Sequence, residues 1–577
     1  MAPDGGTGRP DLMGIVRTAA AVMLMAMPAG AFYLAPRPLT LSILVLAAVV
    51  LSLFGGLLLP GLKSSRSERI LFAVLLAAFY FWVGSYLQQI QPYPFSISWS
   101  EGNHLWNAAL FFTSGTGNPT GEIPFSNYVT PGLYGLRGLP FLFGNGHIMV
   151  YRAWEATLWL APSLLFAWVI SKISNLQGRH AWLFTLWGTL FLAQGPVYAP
   201  LLLGGAVSLL ATRSSREWVQ RAGMLFGTLL AGLARWTWMF TPGLWAIMAL
   251  RFRSRDESSR QPHWGALSLD ALAVLAGAGL SQLFSYLLTG HVPLTYLATL
   301  SHPLLWYRLL PNDTYTPGIL IGLVLTTGPL LVALFMTGWH TRDSLNLWDT
   351  GLTVLLTAGL ALAGLVISVK IGGGSNLHNL DMFLATLVLL AGLWAVRGME
   401  EMNAARPRVL GSTWILALLA MPVAQVVGRV ERLSLPDADV TRDALAVIDG
   451  LLQSAAMDEE VLFIDQRQLL VFGDYPSLRW DPQFEQVELM DRALASDEDY
   501  LNDFYAQLYA QRYRWVLCDP QPVVFKGRSG PFGEENDAWV AAVTIPLLET
   551  YQVRYMLDDV GIWIMEPRSE GVSDGTH

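Results

Sequence analysis

Apolar residues in this chain fall in long unbroken runs, with the polar residues gathered between them. A bilayer core of about 30 Å takes about twenty helical residues. Runs of that length, or near it, begin around Met13, Leu39, Ile70, Met149, Ala181, Val197 and Gly223, and again around Ala266, Thr316, Gly351, Asp381 and Gly411. The stretch from Gly223 to Leu250 carries Arg235 and Pro242 near its middle. A central Arg costs roughly 2.5–3.5 kcal/mol on insertion scales, so two short spans turning at Arg235–Pro242 are favoured over one. With that split the pattern predicts about thirteen spans.

Charge between the runs orients them. Lys63, Arg66 and Arg69 share one short loop, Lys172 and Arg179 a second, and Arg213, Arg216 and Arg221 a third. Arg251, Arg253, Arg255 and Arg260 mark the next, and Arg397, Arg406 and Arg408 the last. The split at Arg235 puts all these clusters on one side, which the positive-inside rule makes cytoplasmic. The N-terminus is then expected inside and the C-terminal part outside. Met13 to Ala31 can also be read as a cleaved signal peptide, because Arg9 and Arg17 lead an apolar stretch with small residues. Cleavage would leave the later topology unchanged.

The same parity places segments of about 91–148, 290–315 and 370–380 on the outer side, with everything after about Val430. An enzyme working at that surface needs such loops; a transporter rarely does. Beyond Val430, short β-rich runs at Val461–Asp465, Trp515–Asp519, Val553–Met556 and Gly561–Met565 flank a helical stretch, Asp491–Gln511. RYMLDDVGIWIMEP reads as a closing hairpin. The expected fold class is a polytopic α-helical membrane protein with a small C-terminal α/β extracytoplasmic domain. Its expected parts are 1–430, with the large outer loop at 91–148, and 431–577. Neither GxGxxG nor GxxxxGK[ST] occurs in the second part, and Asp465, Asp474 and Asp519 read as strand-end turn formers.

Composition narrows the function. Over 577 residues, 53% are hydrophobic and 14% charged, about half the charge of an ordinary soluble domain; mean hydropathy is +0.41. A net charge of −8 without a broad basic face excludes nucleic acid as a partner. The 22 Trp and 19 Tyr suit membrane interfaces. Cys518, the single cysteine, excludes an intramolecular disulfide or a Cys-rich metal site.

In the first outer loop, Glu101 to Ser114 carries Leu105, Trp106, Ala109, Leu110 and Phe112 at near-helical spacing. It is expected to lie flat on the membrane, capped by Ser100, with Glu101 in its first turn. Helix capping and chemistry are both open to Glu101 on these grounds.

Three pieces then resemble a known layout: Glu101-Gly102, the Tyr-x-x-Pro-x-x-Tyr loop from Tyr128 through Pro131 to Tyr134, and Arg152 early in the next span. Together they resemble the C-type (GT-C) membrane glycosyltransferases, most closely the branch of protein O-mannosyltransferases and the aminoarabinose transferase of lipid A. The turn around Arg235 and the Gly372–Asn376 segment before a span are similar to recurrent pieces of that family. The resemblance implies a glycosyltransferase of a bacterial-type cytoplasmic membrane. It would move a sugar from a polyprenyl-phosphate donor, amid membrane lipids, to an unidentified acceptor on the outer face.

Under that resemblance Glu101 is the general base or a metal ligand. Asn103, His104, Tyr128, Arg137, Arg152, Arg235, Lys370, Asn376 and His378 are the substrate-binding candidates. The chemistry is apt: an attacking hydroxyl must lose a proton, and a phosphate leaving group needs positive charge. Many family members carry two adjacent acids where this chain has Ser100-Glu101. A divalent cation (Mg or Mn) would therefore need Glu122, His104 or Asp313 beside Glu101. Each basic candidate has a plainer alternative as a residue that snorkels to headgroups, and Arg152 as an i,i+3 partner of Glu155. Two other functions stay open, a non-catalytic subunit of this fold in an envelope or respiratory assembly, and a lipid-substrate transporter.

Overall fold

The computed structural model describes residues 12–34, 47–48, 50–51, 66–112, 125–126, 128–144, 146–253, 264–292, 302–340, 347–404, 412–455, 458–473, 475 and 478–569. Among them, five helices are long and apolar enough to cross a membrane: Glu68–Leu87, Ile148–Ile173, Trp264–Thr289, Ile319–Met336 and Thr350–Ser368. Ala20–Leu34, Ala199–Ala211 and His378–Trp394 are shorter apolar helices. The chain is a membrane-spanning helical protein. Most of the run near Leu39 lies outside the described residues.

The awkward Gly223–Leu250 stretch does break. A helix Glu217–Ala234 ends where Arg235 turns extended (φ −155°, ψ 130°). One 3-10 turn, Trp236–Trp238, follows, and helix Thr241–Arg253 returns. Pro242 falls in the first turn of that helix, where its missing N–H is harmless. Close packing holds this region: a Cβ at Gly204 would sit 2.5 Å from the Gly227 carbonyl oxygen. Helices lacking a hydrophobic drive between them use small residues in this way.

The C-terminal residues form a five-stranded sheet in the order β2-β1-β3-β5-β4. Strands β1 (Glu460–Phe463), β2 (Arg479–Asp481) and β3 (Tyr513–Cys518) run parallel. Strands β4 (Tyr551–Leu557) and β5 (Ile562–Pro567) form an antiparallel hairpin, turned at Gly561 with φ 68°. Strand β2 is too short to show an alternating pattern in the sequence. The single helix expected over 491–511 is two, Gln486–Ala495 and Glu498–Tyr509. Ser496 takes a left-handed φ of 52°, and Asp497 caps the second helix by accepting from the Tyr500 amide.

This unit rests on the helix that begins at Glu101, which changes two expectations. That helix is shorter than expected, Glu101–Ala109, and it is covered by protein rather than lying on lipid. Trp106 packs edge-on against Trp480 at 5.2 Å, and the Arg467 guanidinium lies 4.9 Å over the Trp106 ring. Asn103 Nδ2 donates to the Ile464 carbonyl at 3.0 Å, and the Ser96 amide donates to Gln466 Oε1 at 3.0 Å. Ser100 does not cap. It is fully buried with a left-handed φ of 58°, and its hydroxyl has no partner. Ser96 Oγ serves that end of the helix instead by accepting the Gly102 amide (3.1 Å), while Glu101 reaches back to the Ile97 amide (2.7 Å).

Candidate functional site

Glu101 is fixed by Arg152, the early arginine of helix Ile148–Ile173. Arg152 Nε donates to Glu101 Oε1 at 2.8 Å and Nη2 to Oε2 at 2.9 Å, the forked geometry that guanidinium and carboxylate share. The remaining hydrogens go to the carbonyls of Gln91, Tyr93 and Phe95. Arg152 is 2% exposed. Glu155, the plainer i,i+3 partner open to Arg152, is instead paired with Arg137 (3.2 Å), because the chain path brings the loop before the helix onto the Arg152 fork. Both Glu101 oxygens are thus engaged by donors, Oε1 by Arg152 Nε and Oε2 by Arg152 Nη2 and the Ile97 amide.

Beyond this clamp the Tyr-x-x-Pro-x-x-Tyr loop folds over the helix. Asn107 Nδ2 donates to Tyr128 Oη at 2.6 Å, and Tyr134 Oη lies 2.8 Å from His104 Nδ1. Burial, with help from the Arg137 charge, holds His104 down to about 3. The imidazole is neutral and supplies no positive charge. Thr130 Oγ1 donates to the Ala234 carbonyl at 2.9 Å, so the loop is docked beside Arg235. Gly132 is needed for that approach: a Cβ there would lie 2.5 Å from the Ala234 amide nitrogen. Gly132→Ala is expected to lower stability by about 1–3 kcal/mol, the range for overpacking. Thermal unfolding of the purified protein checks it, and an unchanged midpoint would mean the loop is not seated there.

Glu485, from the C-terminal unit, closes this group. It accepts from the Val487 and Glu488 amides and sits near Arg467 and Tyr128. Burial outweighs those contacts and pushes it up to about 7. An unfolded Glu releases its proton near 4.3. The folded state therefore binds more protons between those values, and stability falls as pH rises through that window. The loss is about 4 kcal/mol in all, at roughly 1.4 kcal/mol per pH unit. Unfolding at pH 5 and pH 8 should show it, with Glu485→Gln flattening the difference. Equal pH dependence in that variant would assign the effect to another group. Asp465 and Asp519, expected as turn formers, face each other, and burial followed by the Asp519 charge pushes Asp465 well up. Asp474 lies outside the described residues.

The remaining candidates meet at a second place. Arg235 Nη1 donates to Asn379 Oδ1 at 3.3 Å, and its guanidinium lies 5.3 Å over the Trp238 ring. Asn379 Nδ2 donates in turn to the Gly373 carbonyl (2.7 Å). Asn376 Oδ1 accepts from the His378 amide at 2.8 Å and faces its Nδ1. The turn between them needs glycine, with φ 72° at Gly372 and 73° at Gly374. Lys370 enters the turn. Burial pulls its pKa down; Asp491 opposes that, and the Arg235 charge adds to it. Arg235 and Lys370 are therefore like charges within mutual influence.

Reasoning from the sequence missed several members. Asp381 is 1% exposed beside Arg235. Its Oδ1 accepts from the Met382 amide, while Oδ2 and the neighbouring Trp238 Nε1 lack partners in hydrogen-bond geometry. An acid opening an apolar run was the available clue. Arg308, with a wholly buried side chain, donates to Ser375 Oγ (2.6 Å) and to both Glu535 oxygens (2.8 and 2.7 Å). It ties the glycine turn to the C-terminal unit. Tyr198 lies between the two groups, its ring 5.7 Å from Trp238 and its oxygen near Tyr134 and Arg137.

A divalent cation does not fit these residues. Glu122 lies outside the described residues, and Glu101 already holds a guanidinium. Among the described residues no three His, Cys, Asp or Glu side chains gather as metal ligands.

No family model matches this chain, and no curated protein does. Among solved structures the chain is similar to ArnT from Cupriavidus metallidurans, determined bound to undecaprenyl phosphate. The two are 12% identical, with 88% of this chain and 99% of that chain covered and a TM-score of 0.42.

Proposed function

We propose that this chain is a GT-C-like glycosyltransferase that moves a sugar from a polyprenyl-phosphate donor to an acceptor on the outer face of the membrane. One observation carries the reading. Arg235 and Lys370, from segments far apart in sequence, converge beside His378 on a glycine turn. Asp491 acts on Lys370 and Asp381 on Arg235, so each cation has an acid near it. A phosphate ester gains charge as the glycosidic bond breaks, and fixed cations of this kind stabilise that charge. Trp238, Tyr198 and Tyr134 make a run of aromatic contacts from there to His104, and rings of this kind offer apolar faces to a sugar.

The acceptor hydroxyl attacks the anomeric carbon as the carbon–oxygen bond to phosphate breaks, and its proton needs a base. Glu101 positions the first outer loop, since Arg152 occupies both its oxygens. Asp381, whose Oδ2 neighbours Trp238 Nε1 beside Arg235, takes the base role in this scheme. Asn103 and Asn107 orient the loop rather than the substrate.

In this proposal the N-terminus is cytoplasmic and the C-terminal domain, 431–577, lies outside. Reporters fused after Arg69, Arg260 and Arg408 should then be cytoplasmic, and those after Gly146, Tyr315 and Val430 should not. A cytoplasmic reporter after Val430 would overturn the placement. The function itself is tested by mass spectrometry of lipid extracts from deletion and wild-type cells, which should differ in a polyprenyl-phosphate sugar or its product. The Glu101–Arg152 clamp favours a second reading, a non-catalytic subunit keeping the fold. Absence of transfer by the wild-type protein, with every polyprenyl-phosphate sugar tried, would select it.

A further inference from the structure

The C-terminal unit holds an apolar loop in the open. Val523, Val524 and Phe525 are 61%, 67% and 55% exposed, and Phe532 is 45% exposed. Such residues usually hide in a soluble domain, and an exposed apolar patch marks a contact surface. The loop is built to show them. Asn536 Nδ2 donates to the Val524 carbonyl at 2.8 Å, and the Asp537 carboxylate accepts the amides of Lys526 (2.7 Å) and Gly527 (2.9 Å). Gly533 closes it so tightly that a Cβ there would lie 1.6 Å from the Gly527 carbonyl oxygen.

The loop's place in the fold says what covers it. The Phe532 amide donates to Thr314 Oγ1 at 3.0 Å, and the Arg528 guanidinium lies 5.0 Å over the Tyr307 ring. The apolar helix Ile319–Met336, long enough to span, begins just after Thr314. Leu310, 59% exposed, sits against Gly318 at the mouth of that helix, and Trp306 nearby is 54% exposed. The loop is therefore fastened at the level where a span enters the bilayer. Exposed Lys526 and Arg528 follow the apolar triplet, Arg528 also lying 3.7 Å from Glu534, and basic residues beside an apolar patch favour anionic headgroups.

We propose that the 523–532 loop, with Trp306 and Leu310, is an interfacial anchor that sinks Val523, Val524 and Phe525 among lipid headgroups. It holds the C-terminal unit down on the membrane over the glycine turn. The bilayer is the occupant, by the continuity of this patch with the start of a span and by the charge beside it.

The full-length protein carrying F525C tests this, because the native Cys518 is buried and shielded from labelling. An environment-sensitive fluorophore on F525C is read in nanodiscs of phosphatidylethanolamine and phosphatidylglycerol, with nitroxide lipids or with aqueous iodide. A blue-shifted emission, quenched by shallow nitroxide lipid and shielded from iodide, is expected. K526E/R528E should reduce the nitroxide quenching while the protein stays monodisperse. Quenching by iodide but not by lipid would put the loop in water and overturn the proposal. Shielding from both would mean that a protein surface covers the patch, which overturns it equally.

Discussion

Replacing Arg152 with alanine is expected to leave little folded protein, at a loss of roughly 3–5 kcal/mol. Arg152 gathers Glu101 and the carbonyls of Gln91, Tyr93 and Phe95 around one buried guanidinium. Without it those groups are left facing one another with no donor, and a buried unpaired carboxylate is among the largest penalties a fold can carry. Arg152→Lys should not rescue, because an ammonium offers a point charge where a planar fork is required. Glu101→Gln should be destabilising too, since it leaves the arginine with half its partner. Size-exclusion profiles and unfolding midpoints in one detergent decide the matter. An Arg152→Ala protein that is monodisperse with a wild-type midpoint would show the clamp to be incidental. The same series guards against a wrong conclusion about chemistry: loss of activity in a Glu101 variant counts as catalytic only if the fold is intact.

Arg235 should behave in the opposite way. Arg235→Ala removes one of two neighbouring like charges, a single hydrogen bond to Asn379 at 3.3 Å, the contact over Trp238 and the charge beside buried Asp381. It should cost less stability than Arg152→Ala, while sugar transfer falls roughly a hundredfold or more, the loss typical when one preorganised charge-stabilising donor is deleted. Arg235→Lys should lose less, keeping the charge and giving up the fork. Lys370→Ala should follow the same direction. Transfer rates for the three variants, set against their unfolding midpoints, separate a phosphate-holding pair from side chains that merely reach headgroups. Equal and near-wild-type transfer in both Arg235 variants would establish the latter.

Five of the expected runs were legible as helices of membrane-spanning length among the described residues, because length and hydropathy are local properties. So was the break at Arg235, since a charge in an apolar run forces a choice within a few residues. The strand-forming runs at 461–465, 515–519 and 553–565 coincide with β1, β3 and the β4–β5 hairpin for the same reason. Partners were not legible. Glu101 and Arg152 are 51 residues apart, and periodicity reports which face a residue occupies, not what meets it there. Glu155 was the nearer acid and the wrong one for Arg152. Ser100 looked like a cap because its type is right, but its left-handed backbone turns the hydroxyl away. Asp381 was hidden in plain view at the start of an apolar run, where only the arrival of Arg235 gives it meaning.

The seat of the Glu101–Ala109 helix carries a consequence for biogenesis. Gln468 Nε2 donates to the Pro94 carbonyl across 374 residues of chain, and Asn103 reaches Ile464 across 361. At 5–20 residues per second, the ribosome needs roughly 20–70 s to make that intervening length. During that interval Trp106 waits without Trp480 and Arg467, so an apolar helix stands uncovered. Chains that stall before residue 460 would expose it permanently. The surface that closes last is thus the one on which quality-control proteases and chaperones would discriminate finished from unfinished molecules.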